Sequence, residues 1–274
     1  MNERATIRQF FDTVVRTSRY EDRYVRRTSV NAYEILKRKD VVLDCLAHLG
    51  VRQGKILDVG CGPAVYAPEL AAQGFDVWGV DLAPNVIEQA KAVMAATPHA
   101  DRTHFAVGDI DHLDFPDGTF DAALAVGLLE YLPSDAAVLR EFRRVLKPGA
   151  IAVITLQNRY SYYTAVRGAL RPLRPILRAI MGRRLAGRQL LGPYWSRSHA
   201  VQAFERTAAE VGMPPVTRDF VNFNPLPFNL PWHLPRAYFR LLDQFNDRPG
   251  LRRRLPWLCG TYVVALRRDG ARRA

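Results

Sequence analysis

Lys55-Ile56-Leu57-Asp58-Val59-Gly60-Cys61-Gly62 is the stretch that most narrows the folds open to this chain. Ile56, Leu57 and Val59 make an apolar run long enough for one buried strand. Gly60 and Gly62 then allow the backbone to turn tightly and pass close to a ligand. Residues 64–72 are expected to form a helix, opened by Pro63 at a permitted first-turn position and closed by Gly74. A glycine turn feeding a helix N-terminus offers backbone amides to an anionic group. A second apolar run, residues 75–80, leads directly into Asp81, nineteen residues beyond Gly62. A nucleotide-binding βαβ unit puts there the carboxylate that holds ribose hydroxyls.

Two ligand classes suit such a unit. The dinucleotide fingerprint requires Gly or Ala at its third position, where this chain has Val65, and its strand end is normally apolar, where this chain has Asp58. The run Asp58-Val59-Gly60-Cys61-Gly62-Pro63-Ala64 instead resembles motif I of the class I S-adenosylmethionine-dependent methyltransferases, with Ala64 where Gly is common. Further landmarks of that family follow in order: Val80-Asp81-Leu82-Ala83-Pro84, Val107-Gly108-Asp109-Ile110, Phe120-Asp121, Leu128-Leu129-Glu130-Tyr131-Leu132 and Val145-Leu146-Lys147-Pro148-Gly149-Ala150. The resemblance covers residues 30–157 closely and 194–221 loosely.

The resemblance implies an α/β fold, a doubly wound, seven-stranded, mostly parallel sheet of the Rossmann-like methyltransferase type. It also implies the cofactor S-adenosyl-L-methionine. By the same resemblance the cofactor lies against Asp58, Gly60, Cys61, Gly62, Asp81, Leu82, Asp109, Ile110, Val126 and Gly127. Asp81 takes the ribose, Asp109 accepts from the adenine amine, and Ile110 packs on the ring. Arg38 stands where some relatives set an Arg against the methionine carboxylate; as a plain surface Arg on a helix it has an equal reading.

The remaining pattern fits alternating strands and helices. Strands are expected at 103–107, 120–126, 151–156, 216–221 and 259–266, and helices at 3–17, 30–49, 85–96 and 198–211. Ser134 N-caps a further helix that runs to Leu146 and stops at Lys147-Pro148-Gly149. Asp111, Asp114, Pro116 and Asp117 mark a surface loop. Two insertions interrupt this plan. The first, 159–193, has Val166, Leu170, Leu173, Leu177 and Ile180 at helical spacing, flanked by Arg167, Arg171, Arg174 and Arg178. That is the form of an interfacial helix, or of a cap helix with Arg facing water, although Pro172 and Pro175 break a single long helix. The second, 222–256, is dense in Pro and aromatic residues. We therefore expect one domain, residues 1–274: a helical cover (1–50), a cofactor core (51–157), a basic cap insertion (158–197) and the rest of the core (198–274).

Composition bounds the partners. With 48% hydrophobic residues the chain can build a full core. The net charge of +12 resolves into −3 for residues 1–158 and +15 for residues 159–274, a field that favours anionic partners (nucleic acid, anionic lipid or an acidic substrate), or else a solvated Arg-rich surface. Nucleic acid is disfavoured, because Gly127-Leu128-Leu129-Glu130 stands where amino-methylating nucleic-acid enzymes carry an Asn/Asp-Pro-Pro-aromatic segment. Cys45, Cys61 and Cys259 have no disulfide or zinc spacing, and the histidines have none either, so no metal is expected. The first residues lack a signal-peptide core and no apolar run reaches ~20 residues, so a cytoplasmic protein is expected, with contact at the inner membrane face.

Methyl transfer from a sulfonium needs an aligned nucleophile, and a base only when the acceptor atom carries a proton. Candidates for the base are Glu130, Tyr131 and His199. The expected acceptor is a lipophilic, aromatic or lipid-linked molecule methylated at a hydroxyl, ahead of an amine or carboxylate. The competing reading is an RNA- or membrane-binding protein that uses the fold as a docking surface.

Overall fold

The structure is a computed structural model that describes residues 8–9, 29–169, 172, 197–225 and 235–270. The expected N-terminal helix at 3–17 and most of the first insertion, including its Arg stripe, lie outside the described residues.

Seven strands form one sheet: β1 (Gly54–Val59), β2 (Phe75–Asp81), β3 (Thr103–Val107), β4 (Phe120–Val126), β5 (Leu146–Gln157), β6 (Pro215–Phe223) and β7 (Cys259–Arg267). Their order is β3-β2-β1-β4-β5-β7-β6. β7 runs antiparallel to both its neighbours and every other pairing is parallel, so the sheet is mostly parallel as expected. The order reverses between β1 and β4, and that switch point places a ligand crevice beyond their carboxyl ends.

The helices are α1 (Val30–His48), α2 (Ala67–Ala72), α3 (Pro84–Ala95), α4 (Asp135–Val145), α5 (Tyr162–Ala169), α6 (Val201–Glu210), α7 (Arg236–Asn246) and α8 (Pro249–Arg254). They cover both faces of the sheet, which is why β4 is apolar at successive positions. Ala123 and Ala125 join the core of Leu57, Phe142 and Phe204, while Ala122 and Leu124 join that of Val42, Ile56 and Leu70. Ser134 caps α4 as expected, its Oγ accepting from the Ala137 amide at 3.3 Å.

Two element starts differ clearly from the sequence expectation. α2 begins at Ala67, not residue 64, because Ala64 has φ 63°, left-handed and incompatible with a right-handed helix. Pro68, rather than Pro63, occupies the first helical turn. β5 begins at Leu146 instead of 151: Leu146 already pairs with Phe120, and a register shift before Ala122 absorbs the Lys147-Pro148-Gly149 segment.

The second insertion contains α7 and α8, and α7 is fastened to α1 by side chains. Tyr33 Oη donates to Asp243 Oδ1 at 2.9 Å, and Lys37 Nζ stands 3.2 Å from Asp243 and 2.5 Å from Asp247. Asn246 is buried and ties α7 to β6, accepting from the Phe223 amide and donating to the Phe223 carbonyl. No helix among the described residues is long and apolar enough to cross a membrane.

Candidate active site

The glycine turn after β1 runs on past Ala64 before α2 begins at Ala67. Gly60, Gly62 and Ala64 have φ of 69°, 56° and 63°, so alternate residues are left-handed. The Gly60 and Cys61 amides both donate to the Val80 carbonyl, at 2.8 and 3.2 Å, which draws the turn onto the end of β2. Asp81 completes the join: its Oδ2 accepts from Gly62 N at 3.1 Å and its Oδ1 from Ala83 N at 3.0 Å. Thus the residue expected to hold ribose also sets the shape of the turn.

Beneath this lies Asp58, 2% exposed, with Oδ2 making no hydrogen bond among the described residues. Burial, then the charge of Asp81, pushes its carboxyl up to about 7. Cys61 is also buried, and burial followed by Asp58 and Asp81 drives its thiol upward, so it is a poor nucleophile. At the end of β3, Asp109 Oδ1 accepts from the Asp111 amide at 3.2 Å in a local turn. Ile110 is buried in the same core as Leu113 and Leu129, and Leu82 is half-buried at the start of the loop after β2. The acidic loop is pinned rather than free: Arg144 donates to the Phe115 and Leu113 carbonyls and pairs with Asp117 at 3.0 Å.

Val126 and Gly127 end β4 at the crevice. Gly127 has φ 65°, and its amide donates to Thr155 Oγ1 at 2.9 Å. A methyl group at Gly127 would stand 3.4 Å from an Arg38 guanidinium nitrogen and 3.6 Å from Glu130 Oε1. Arg38 is therefore a half-buried residue facing the crevice, not a surface Arg, and it also bonds the Tyr66 hydroxyl. Arg38 Nε and Glu130 Oε2 are both buried without a hydrogen-bond partner among the described residues. Burial raises the Glu130 carboxyl above its ordinary range, opposed chiefly by Arg38.

The three base candidates separate. Glu130 lines a cavity of about 160 Å³. Tyr131 closes the 3₁₀ turn Leu129–Tyr131 and His199 precedes α6, and neither is part of that lining. His199 is buried with Nε2 3.2 Å from Asp135 Oδ1, which Arg197 also grips at 2.7 Å. Burial alone would raise the Asp135 carboxyl, but His199 and Arg197 outweigh it and hold it low. The Arg197 amide donates to the Glu130 carbonyl at 2.7 Å, so this cluster braces the Glu130 turn from behind.

Sequence reasoning missed the rest of the cavity wall: Asn31 and Glu34 on α1, Gln157 ending β5, and Asn222 on β6. They come from three distant segments and share no local spacing. The one signal was Asn222 itself, which takes φ 66°, a conformation Asn tolerates better than most residues. No group of His, Cys, Asp or Glu able to hold a metal ion occurs among the described residues.

The crevice fits S-adenosylmethionine in kind: a left-handed glycine turn, a carboxylate at the end of β2, and, beside the end of β4, Arg38 Nε and Glu130 Oε2 buried without partners among the described residues. Residues 57–154 match the family described as "Methyltransferase domain". They are a class I S-adenosylmethionine-dependent methyltransferase domain. Over 98 residues the chain is 36% identical to a sterol 4-C-methyltransferase of Caenorhabditis elegans, covering 36% of this chain and 29% of that protein. It is 38% identical over 104 residues to a 2-methyl-6-phytyl-1,4-hydroquinone methyltransferase of Synechocystis, covering 38% of this chain and 32% of the relative. A ubiquinone biosynthesis O-methyltransferase of Xanthomonas oryzae is 30% identical over 126 residues, 45% of this chain and 52% of its own length. The matched stretches thus span 29% to 52% of the length of these curated relatives.

Among solved structures, the magnesium protoporphyrin IX methyltransferase of Synechocystis with bound SAH superposes with a TM-score of 0.63 at 14% identity, covering 98% of this chain and 100% of that one. The [4+2]-cyclase SpnF gives 0.65 at 17% identity, covering 98% and 97%. At such identities the likeness shows the methyltransferase fold alone, and the cyclase demonstrates that this fold hosts another reaction.

Proposed function

We propose that the chain transfers a methyl group from S-adenosyl-L-methionine to a hydroxyl of a small acceptor with lipophilic character. The observation that carries this reading is the pair of unpartnered atoms, Arg38 Nε and Glu130 Oε2, where the glycine-turn crevice meets the cavity under α1. The named relatives act on sterols, a phytyl hydroquinone and ubiquinone precursors, which supports an acceptor with apolar bulk.

In this reading Asp81 holds the ribose, Asp109 meets the adenine amine, and Arg38 faces the methionine carboxylate. Bound there, the cofactor supplies an already activated methyl on a positive sulfonium. The protein's part is mostly positioning, which converts a bimolecular displacement into a directed one. Glu130, with its carboxyl raised by burial, accepts the hydroxyl proton at Oε2 as the oxygen is methylated. His199, Asp135 and Arg197 position Glu130 through its backbone.

Calorimetry with S-adenosylmethionine is the first test, and absence of binding by folded protein would overturn the reading. A metabolite extract incubated with enzyme and deuteromethyl cofactor, followed by mass spectrometry, then reads the acceptor. A mass gain at a carbon or nitrogen would replace the hydroxyl assignment.

A second, compatible reading concerns the basic half. Arg236, Arg240, Arg253 and Arg254 on α7 and α8, and Arg248 between them, are exposed, and Trp257 beyond them is 52% exposed. Arginine beside an exposed Trp favours contact with an anionic membrane surface. Protein that ignores phosphatidylglycerol vesicles at low salt would remove this reading.

A further inference from the structure

The cavity under α1 adjoins the cofactor crevice at Arg38, Glu130 and Thr155. Its other walls come from α1, with Asn31 and Glu34, and from the β5-β7-β6 half of the sheet, with Gln157, Asn222 and Thr261. A volume of about 160 Å³ is close to the ~150 Å³ of an engineered cavity that admits one benzene, so the space takes one six-membered ring.

The wall is polar, unlike the mostly apolar lining usual for ligand pockets. Asn222 decides the chemistry. It is 8% exposed, its Nδ2 donates to Thr261 Oγ1 at 3.0 Å, and its Oδ1 makes no hydrogen bond among the described residues. With Nδ2 fixed by Thr261, Oδ1 is committed as an acceptor. Glu130 Oε2 is a second buried acceptor without a partner, and Glu34 adds a carboxylate on the same wall. Arg38 Nε is a buried donor without one. A buried polar atom of this kind calls for a partner from the ligand.

Charge selects among partners. Glu34 and Glu130 already bring two acidic groups to the wall beside the Arg38 guanidinium. A ligand carboxylate would add a third, and an ammonium has no lone pair to accept from Arg38 Nε. Hydroxyl groups satisfy the wall, since each donates to an acceptor of the Asn222 and Glu130 kind and accepts from Arg38. Ile35, Leu156 and the Tyr163 ring leave a smaller surface for the C–H face of such a ring.

Resting on the methyltransferase reading above, we propose that this cavity holds a neutral, ring-sized polyhydroxylated head group, of the sugar or cyclitol class, as the methylated end of the acceptor. The lipophilic part of the acceptor then lies outside the cavity. One ring hydroxyl faces Glu130; its oxygen forms the new bond to the methyl carbon as the carbon–sulfur bond breaks, and its proton passes to Glu130 Oε2.

The test uses full-length protein saturated with S-adenosylhomocysteine and probes sharing one tail. Octyl glucoside, octyl mannoside and octyl galactoside, each below its micelle concentration, and free myo-inositol are titrated against octylamine, octanoate and 4-octylphenol. At least one polyol is expected to bind tenfold more tightly than every non-polyol probe. Gln157→Leu and Asn31→Leu should each weaken it fivefold or more while S-adenosylhomocysteine affinity stays unchanged. The proposal falls if no polyol binds, if octylamine or 4-octylphenol binds best, or if the polyol displaces S-adenosylhomocysteine, which would make the cavity part of the cofactor site. If S-adenosylhomocysteine itself fails to bind, the methyltransferase reading fails, and the same titration of unloaded protein still decides the cavity's ligand class.

Discussion

The two halves of the sheet are held together by different means. The β3-β2-β1-β4 half rests on backbone geometry: left-handed residues at 60, 62 and 64, amides converging on the Val80 carbonyl, and Asp81 bonded to two further amides. The β5-β7-β6 half rests on side-chain pairs between distant segments. Arg252 grips Asp219 at 2.8 Å, Tyr262 donates to Glu205 at 2.6 Å, and Asn158 Nδ2 donates to the Pro256 and Cys259 carbonyls at 3.0 Å. Backbone geometry of this kind is insensitive to what the ligand's other end looks like. Side-chain pairs can be exchanged one at a time, so the second half is where an acceptor site can be rebuilt without disturbing the first.

The largest expected break in that contrast is Arg252→Ala. Arg252 is 5% exposed, and its removal leaves the mostly buried Asp219 with Arg253, at 3.6 Å, as its one cation among the described residues, beside the bond from the Phe220 amide. Leaving a buried charge uncompensated costs about 3–5 kcal/mol. Urea unfolding should show that loss, while S-adenosylmethionine affinity of the folded variant changes less than about twofold. Equal damage to both would mean that the halves are not separable.

Asp58 gives an effect of opposite chemistry. Its folded carboxyl titrates at about 7 against an ordinary 3.8, so the native state binds the proton more tightly than the unfolded chain. Its stabilisation is full below pH 4 and is lost as pH rises through 7, by at most about 4 kcal/mol. Asp135 behaves the other way: with its carboxyl held low, its contribution is present above the unfolded value and lost on acidification. Urea midpoints of wild type and Asp58→Asn between pH 4.5 and 8 should diverge, the wild type alone losing stability toward high pH. Parallel curves would show that Asp58 stays ionised.

Asp81→Ala should weaken S-adenosylmethionine binding by about 1.5–3 kcal/mol, the worth of hydrogen bonds to a charged group. Because Asp81 also holds the Gly62 amide, Asp81→Asn should recover part of the loss by restoring one acceptor. An unchanged dissociation constant in folded Asp81→Ala protein would move the ribose contact elsewhere.

How much was legible follows the same division. Residues 54–157 could be read because strand, turn and carboxylate are neighbours in the chain, so physical constraint appears as local spacing. Strands β1 to β4 and the methyltransferase domain follow from that stretch, whereas the reversal of β7 lies in its pairings with β5 and β6, which no local spacing announces. Glu34 and Asn224 meet across 190 residues, and Tyr33 and Asp243 across 210. Such pairs leave no periodicity, and any residue along α1 would have served equally well on paper. Arg38 shows the boundary: its position in sequence allowed two roles, and only its approach to Gly127 and Glu130 distinguished them.

The smallest prediction probes the one place where the legible half departs from its own motif. Ala64 stands where relatives of this pattern carry Gly, and it is fully buried with φ 63°. A left-handed Ala costs about 1–2 kcal/mol relative to a right-handed one. Ala64→Gly removes that strain but gives up a buried methyl, about 0.8 kcal/mol, and frees the unfolded chain by about 0.4–1 kcal/mol. These terms nearly cancel, so the variant should lie within about 1 kcal/mol of wild type. Ala67→Gly, three residues on and inside α2, has no strain to relieve and should cost clearly more. A large loss at position 64 would mean that its methyl is a packing requirement of the turn, and that this half depends on side chains as well.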